Sequence, residues 1–216
     1  ESSWAGLAGS LKGGLHFGLS GFAFWSHDVP GFHSEPDFMN SVIDPKVYVR
    51  WTQFGVFTSH MRYHGSHKRE PWYYPTVSDI VKKWWRLRYR LLPYIMEESR
   101  IATETGYPVI QAMLMHHPND KTCWHIDDQY YFGRSFMVAP VMNSNDKRDI
   151  YLPEGEWVNF FTKEHFTGPV WLKDVNVPLD EMPVFCRPGT EIPVYELEVN
   201  STDDIDLTKA TRIVIE

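Results

Sequence analysis

The sequence predicts an α/β first half followed by an all-β second half, and three observations carry that reading. Up to about Gly106, stretches with helical spacing alternate with short strand-like runs. From Pro108 onward the chain offers only short apolar runs, cut by Pro and Gly at intervals of about ten residues. Between Phe22 and Trp25 a continuous apolar run leads into His27 and Asp28. Such a run is the pattern of a strand covered on both faces, whose carboxyl end opens into the crevice where ligands bind.

Taken in order, "SSWAGLAGSLKGGLHFGL" has a Ser cap, apolar Trp4, Leu7, Leu11 and Leu15 at helical spacing, and Gly13-Gly14 where the helix is expected to end. The strand over Phe22–Trp25 follows, then a long loop, "HSEPDFMNSVIDP". A helix is expected from about Pro45, running into a short strand near His60 to His64. A long helix is predicted over residues 78–104, with a kink or break at Pro93. This succession is the tail end of a β/α barrel or a wound sheet. The second half, with "PVIQAMLMHH", "SFMVAPVM", "RDIYLPEGEWVNFF", "GPVWLK" and "MPVFCRPGTEIPVYE", is predicted as an antiparallel β-sandwich beyond a boundary near Gly106. The closing "TKATRIVIE" reads as a further strand unit.

Composition narrows the function classes. The chain has 216 residues, 43% of them hydrophobic, enough for a substantial core. A formal charge of -7 argues against nucleic acid, which needs concentrated basic surface. The densest basic stretch, Lys82 to Arg90, is read as an amphipathic helix with Trp84, Leu87 and Leu91 inward and a solvated basic face. No stretch approaches the apolar length of a membrane helix, so no membrane partner is expected. Cys123 and Cys186 have no CxxC spacing, and with the lone Asn200-Ser201-Thr202 sequon they leave the compartment open, cytoplasmic or secreted. Aromatic residues make up 15% of the chain. Flat rings are what sugar-binding clefts set against the C–H faces of carbohydrates, although much of this excess is ordinary core.

Two clusters in the first half could carry chemistry. One is Trp25, His27 and Asp28; the other is "HMRYHGSHKREPW", with His60, Arg62, His64, His67 and Arg69. His64 and His67, three apart, are a weak metal signal with no second liganding pair. Loop residues satisfied by solvent or backbone are a second reading. A clamp for sugar hydroxyls is the third: Asp accepts, His donates, and Arg holds a neighbouring carboxylate.

"GLSGFAFWSHDVPGF", "SHMRYHGSHKREPW", "RYRLLPYIMEESRIATETGYPVIQAM", "DDQYYFGRSFMVAPVM", "YLPEGEWVNFFT" and "MPVFCRPGTEIPV" resemble, in order, the downstream motifs of glycoside hydrolase family 31. The likeness is greatest to its α-xylosidase and α-glucosidase members and runs from about Leu7 to about Val194. It implies the C-terminal end of a (β/α)8 TIM barrel over residues 1–106 with strands seven and eight, a proximal β-sandwich over 107–194, and the start of a distal β domain over 195–216. It implies a retaining, exo-acting α-glycosidase that removes terminal xylose or glucose and uses two aspartates, neither of whose motifs is present here. The opening "ESSWAGLAGS" reads as internal, just past the acid/base motif, so the chain alone is expected to be inactive and to need the N-terminal part of the same enzyme. No cofactor and no metal are implied; an oligosaccharide is the implied substrate, and a homo-oligomer is left open.

Residue by residue, the resemblance makes Asp28 a pocket aspartate after strand seven and His64 a ligand of glycone hydroxyls after strand eight, with Trp25 and Arg62 as pocket wall and support. "DVPGF" departs from the commoner Asp-Ile-Gly-Gly-Phe, and the insertion over residues 33–44 is expected to reshape the pocket rim. The rival class is a non-catalytic carbohydrate-binding module in which the aromatics act alone.

Overall fold

The computed structural model describes residues 1–35, 37–38 and 42–216; the remainder of the 33–44 insertion lies outside the described residues. Helix α1 spans Trp4–Leu19, and the Ser3 hydroxyl caps it by accepting from the Gly6 N–H at 3.0 Å. Leu7, Leu11 and Leu15 are buried as their spacing demands. The expected stop at Gly13-Gly14 is corrected, because the helix continues five residues past Gly14 to Leu19. Gly14 serves close packing instead: a Cβ there would stand 2.0 Å from Cζ2 of Trp25.

Strand β1 is Ser26–Val29 and pairs in parallel with β2, His60–Tyr63, with Asp28 opposite Arg62. The strand therefore starts after the apolar run rather than within it. Phe22 is 55% exposed and meets Phe17 edge-on at 5.3 Å, while Trp25 turns back under α1. Between the strands lies α2, Pro45–Val56, capped by Asp44, whose side chain accepts from the Lys46 N–H at 2.8 Å. Every residue of α2 from Val47 to Val56 is buried, so it lies between layers rather than on the surface.

The predicted break is present. Helix α3 runs Ser78–Arg90 and α4 runs Leu92–Thr105, with Pro93 in the first turn of α4, where a missing N–H costs nothing. Gly106, at φ 77°, closes α4 in the left-handed conformation that glycine adopts freely. Trp84 and Leu91 point inward as expected, but the basic face is not wholly solvated. Arg88 is partly buried and donates to the carbonyls of Val56 (2.8 Å), Thr58 and Ser59 (2.9 Å).

After β3 (Ile110–Ala112) and the single turn α5 (Met113–His116), the strands β4 (Tyr130–Phe132), β5 (Phe136–Val138), β6 (Lys147–Asn159), β7 (His165–Asn176) and β8 (Val184–Cys186) complete a six-stranded sheet of order β3-β4-β5-β8-β6-β7. All its pairings are antiparallel. Alternation splits its side chains between two cores. Phe132, Phe136, Val138, Val158 and Val184 join the core shared with the helices. Tyr131, Met137, Trp157 and Phe185 face a second core closed by Leu172 and Val175 of β7. Register shifts in β6 between Arg148 and Ile150 and between Leu152 and Gly155 mark where this long hairpin departs from regular pairing. Finally β9 (Glu191–Val194) and β10 (Thr211–Val214) form an antiparallel pair.

The sheet unit is bolted to α2. Arg50, 1% exposed, donates to the carbonyls of Val177 and Glu181, each at 2.6 Å, and to Asp146 at 3.0 Å.

Candidate functional site

Three of the residues singled out from sequence, Asp28, Arg62 and His64, converge at the carboxyl ends of β1 and β2. Because side chains alternate along β1, His27 and Val29 are buried while Asp28 faces the other way, 19% exposed at its side chain. The parallel register sets Arg62 directly beside it, and Arg62 Nε donates to Asp28 Oδ1 at 2.7 Å. His64, one residue past β2, brings Nδ1 to 3.4 Å from the same oxygen. Arg62 and His64 remain more than half exposed. The result is a carboxylate gripped on one oxygen by a guanidinium and an imidazole, on an open face.

Trp25 is not brought to this face. Its ring lies between Gly14 of α1, His27 (5.3 Å) and Phe54 of α2 (6.2 Å), where it packs the back of β1. His27 is likewise inward. Trp51 Nε1, which can only donate, bonds His27 Nδ1 at 3.0 Å, so His27 Nε2 carries the proton and donates to Thr58 Oγ1 at 3.3 Å. Burial, then the charge of Arg88, pushes the His27 pKa down to about 3, against a small opposing pull from Asp28. His27 is thus a neutral polar bridge between β1 and the turn before β2.

The second cluster divides in the same way. Arg69, 4% exposed, is a loop tie rather than a clamp for ligand: Nε donates to the Gly31 carbonyl (2.9 Å), and its terminal nitrogens reach the carbonyls of Phe32 (3.1 Å) and His67 and the hydroxyl of Ser2 (3.2 Å). Gly65 permits this, since a Cβ there would meet Arg69 Nε at 2.5 Å and the Phe32 carbonyl at 2.6 Å. The loop after β1 and the loop after β2 are thereby locked together around Asp28 and His64. His60 lies at the start of β2, edge-on to Phe24 at 6.0 Å, away from the strand ends. Among the described residues no group of three or more His, Cys, Asp or Glu could hold a metal, and His64 and His67 do not form part of one. Sequence reasoning missed Ser2 and Arg88 as organisers. Nothing local marks either, because their partners, the Arg69 guanidinium for Ser2 and the carbonyls of Val56, Thr58 and Ser59 for Arg88, are distant in sequence.

Comparison with known proteins places the chain in a family. The sequence model of the glycosyl hydrolases family 31 TIM-barrel domain matches residues 1–98, and that of the family 31 C-terminal domain matches residues 106–192. The chain belongs to glycoside hydrolase family 31. Among its relatives, an alpha-xylosidase of Emericella nidulans is 34% identical over 95% of this chain and 27% of its own length. Neutral alpha-glucosidase AB of Sus scrofa is 34% identical over 94% of this chain and 21% of its own. Among solved structures, a family 31 dextranase of Flavobacterium johnsoniae complexed with glucose superposes with a TM-score of 0.84 at 31% identity, covering 98% of this chain and 26% of that one. A family 31 alpha-xylosidase from a soil metagenome complexed with xylose gives 0.79 at 31% identity, over 88% of this chain and 31% of that one. The chain spans about a quarter of the length of the family 31 relatives it matches. The first half thus matches the family's TIM-barrel domain, and the second half its C-terminal domain.

Proposed function

We propose that the chain is the C-terminal part of a retaining, exo-acting α-glycosidase and supplies part of the subsite that holds the terminal sugar. The observation that carries this reading is the Asp28–Arg62–His64 constellation at the ends of two adjacent parallel strands. Among the described residues Arg62 and His64 both meet Oδ1, which leaves Asp28 Oδ2 to accept from a sugar hydroxyl, and His64 Nε2 meets a neighbouring one. On this reading β1 and β2 are the seventh and eighth strands of the barrel. The two carboxyl groups that protonate and attack the glycosidic bond lie upstream, and residues 107–194 and 195–216 are the proximal and distal β domains.

Hydroxyl contacts of this kind accelerate hydrolysis when they tighten as the ring flattens toward the oxocarbenium-like transition state. The test is kcat/KM of Asp28→Asn and His64→Ala in the protein at its natural length. Each is expected to fall by on the order of 10- to 1000-fold, equivalent to about 1.4 to 4 kcal/mol. Near-normal values would make both residues structural.

Xylose is the favoured glycone, because Trp25-Ser26-His27-Asp28 and Arg62-Tyr63-His64-Gly65-Ser66 resemble the α-xylosidase branch. Glucose is the second reading, since relatives named for both activities reach the same 34% identity. Matched aryl α-xyloside and α-glucoside decide between them, and a tenfold preference for the glucoside would select the second.

A further inference from the structure

The insertion after β1 places an aromatic stack beside the site. The rings of His33 and Phe38 lie nearly parallel, 18° apart, with centroids separated by 5.1 Å, and Phe38 is 46% exposed. Phe32 links this stack to the site, its ring 6.3 Å from Phe38 and 5.4 Å from His64. The stack is anchored at both ends of its surroundings. Ser66 donates from its hydroxyl to the Phe38 carbonyl at 2.6 Å and from its N–H to the Phe32 carbonyl at 2.8 Å, and the Ser2 N–H reaches the His33 carbonyl at 2.6 Å. At the rim, Glu35 Oε1 stands 3.5 Å from His33 Nε2 and is mostly exposed.

An exposed flat ring backed by a second ring, with a carboxylate at the edge of that second ring, matches the two faces of a pyranose. The C–H face lies on the ring, and a hydroxyl donates to the carboxylate. The stack begins one aromatic ring beyond His64, so a sugar resting there is the neighbour of the one held by Asp28 and His64. We propose that Phe38, backed by His33, is the platform for the sugar on the leaving-group side of the scissile bond. This inference rests on the reading of Asp28 and His64 as the glycone subsite.

A pair of substrates separates the two. In α-xylosyl fluoride the C1–F bond breaks and fluoride departs; in α-xylosyl-(1→6)-glucose the C1–O bond breaks and glucose departs. Water supplies the new C1 hydroxyl in both. Only the second substrate places a ring on Phe38. In the protein at its natural length, Phe38→Ala is expected to lower kcat/KM on the disaccharide by about 3- to 15-fold, chiefly through KM, and to leave the fluoride within about twofold. Phe38→Tyr is expected to restore the disaccharide rate to within about threefold. The α-glucosyl fluoride and isomaltose pair is run in parallel for a glucose-specific pocket. Equal losses on fluoride and disaccharide, no loss on either, or failure of Tyr to rescue would each overturn the platform while leaving the glycone subsite standing. If the unaltered protein hydrolyses neither fluoride, the enzymatic reading falls and the platform with it.

Discussion

Gly13 and Gly14 are neighbours in the same helix, yet replacing each by alanine is expected to change stability in opposite directions. Alanine is better than glycine inside a helix by about 1 kcal/mol, and that gain is common to both substitutions. At Gly13 a new Cβ meets nothing within 4 Å, so Gly13→Ala is expected to stabilise by about 0.5 to 1 kcal/mol. At Gly14 the Cβ would stand 2.0 Å from Cζ2, 2.3 Å from Cε2 and 2.6 Å from Cη2 of Trp25. Ordinary contact needs well over 3 Å, so the indole must move by more than an ångström. It cannot do so freely, because His27 and Phe54 flank it. Overpacking of this kind costs about 1 to 3 kcal/mol. The helix gain cancels between the two variants, so the difference in their stabilities isolates the overlap, and Gly13→Ala should exceed Gly14→Ala by about 1 to 3 kcal/mol. Urea unfolding followed by tryptophan fluorescence reads this directly. Equal midpoints for the two variants would refute the argument that Gly14 exists to admit Trp25.

Arg88→Met should destabilise by about 2 to 4 kcal/mol, since it strips partners from the carbonyls of Val56, Thr58 and Ser59. Arg88→Lys should recover only part, because one ammonium cannot match the fork; a Met variant within 1 kcal/mol of the parent in denaturant unfolding would contradict this. His27 gives a pH signature. Its folded pKa of about 3 lies below the unfolded value of 6.5, so its contribution is fully present above pH 6.5 and is lost as pH falls toward 3. About 2 to 3 kcal/mol of it should be gone by pH 4.5, and His27→Gln should flatten the dependence of stability on pH between 6.5 and 4.5 by close to one proton; an unchanged slope would show that His27 does not titrate as described.

Much of the fold was legible because its signals are local. The Pro93 break, the Gly106 cap and the helix from Pro45 each follow from one residue's backbone chemistry. The antiparallel pairing of the second half follows from short runs punctuated by Pro and Gly. The errors came where a local signal had a tertiary use. Gly13-Gly14 resembles a helix stop, but Gly14 answers to Trp25, which is distant from it in the helix pattern. The apolar run Phe22–Trp25 resembles a strand, but the ladder with β2 starts only at Ser26. Arg88 reads as solvated from its neighbours Arg86 and Arg90, and only the turn before β2 reveals what it holds.

The same distinction separates the two halves of the site. Asp28, Arg62 and His64 could be named from sequence because the two stretches that carry them, Trp25–Asp28 and Arg62–Ser66, are contiguous and resemble motifs of the family. Their geometry could not be read there, since it depends on the register of β1 against β2. That register is enforced from behind: His27 bonds Trp51 and Thr58, Arg88 holds the turn entering β2, and Arg69 ties the two outgoing loops. A one-residue slip would move Arg62 off Asp28 and turn the alternation of β2 inside out. The buried polar residues around the strands thus perform the positioning, and Asp28, Arg62 and His64 are held by it on the open face.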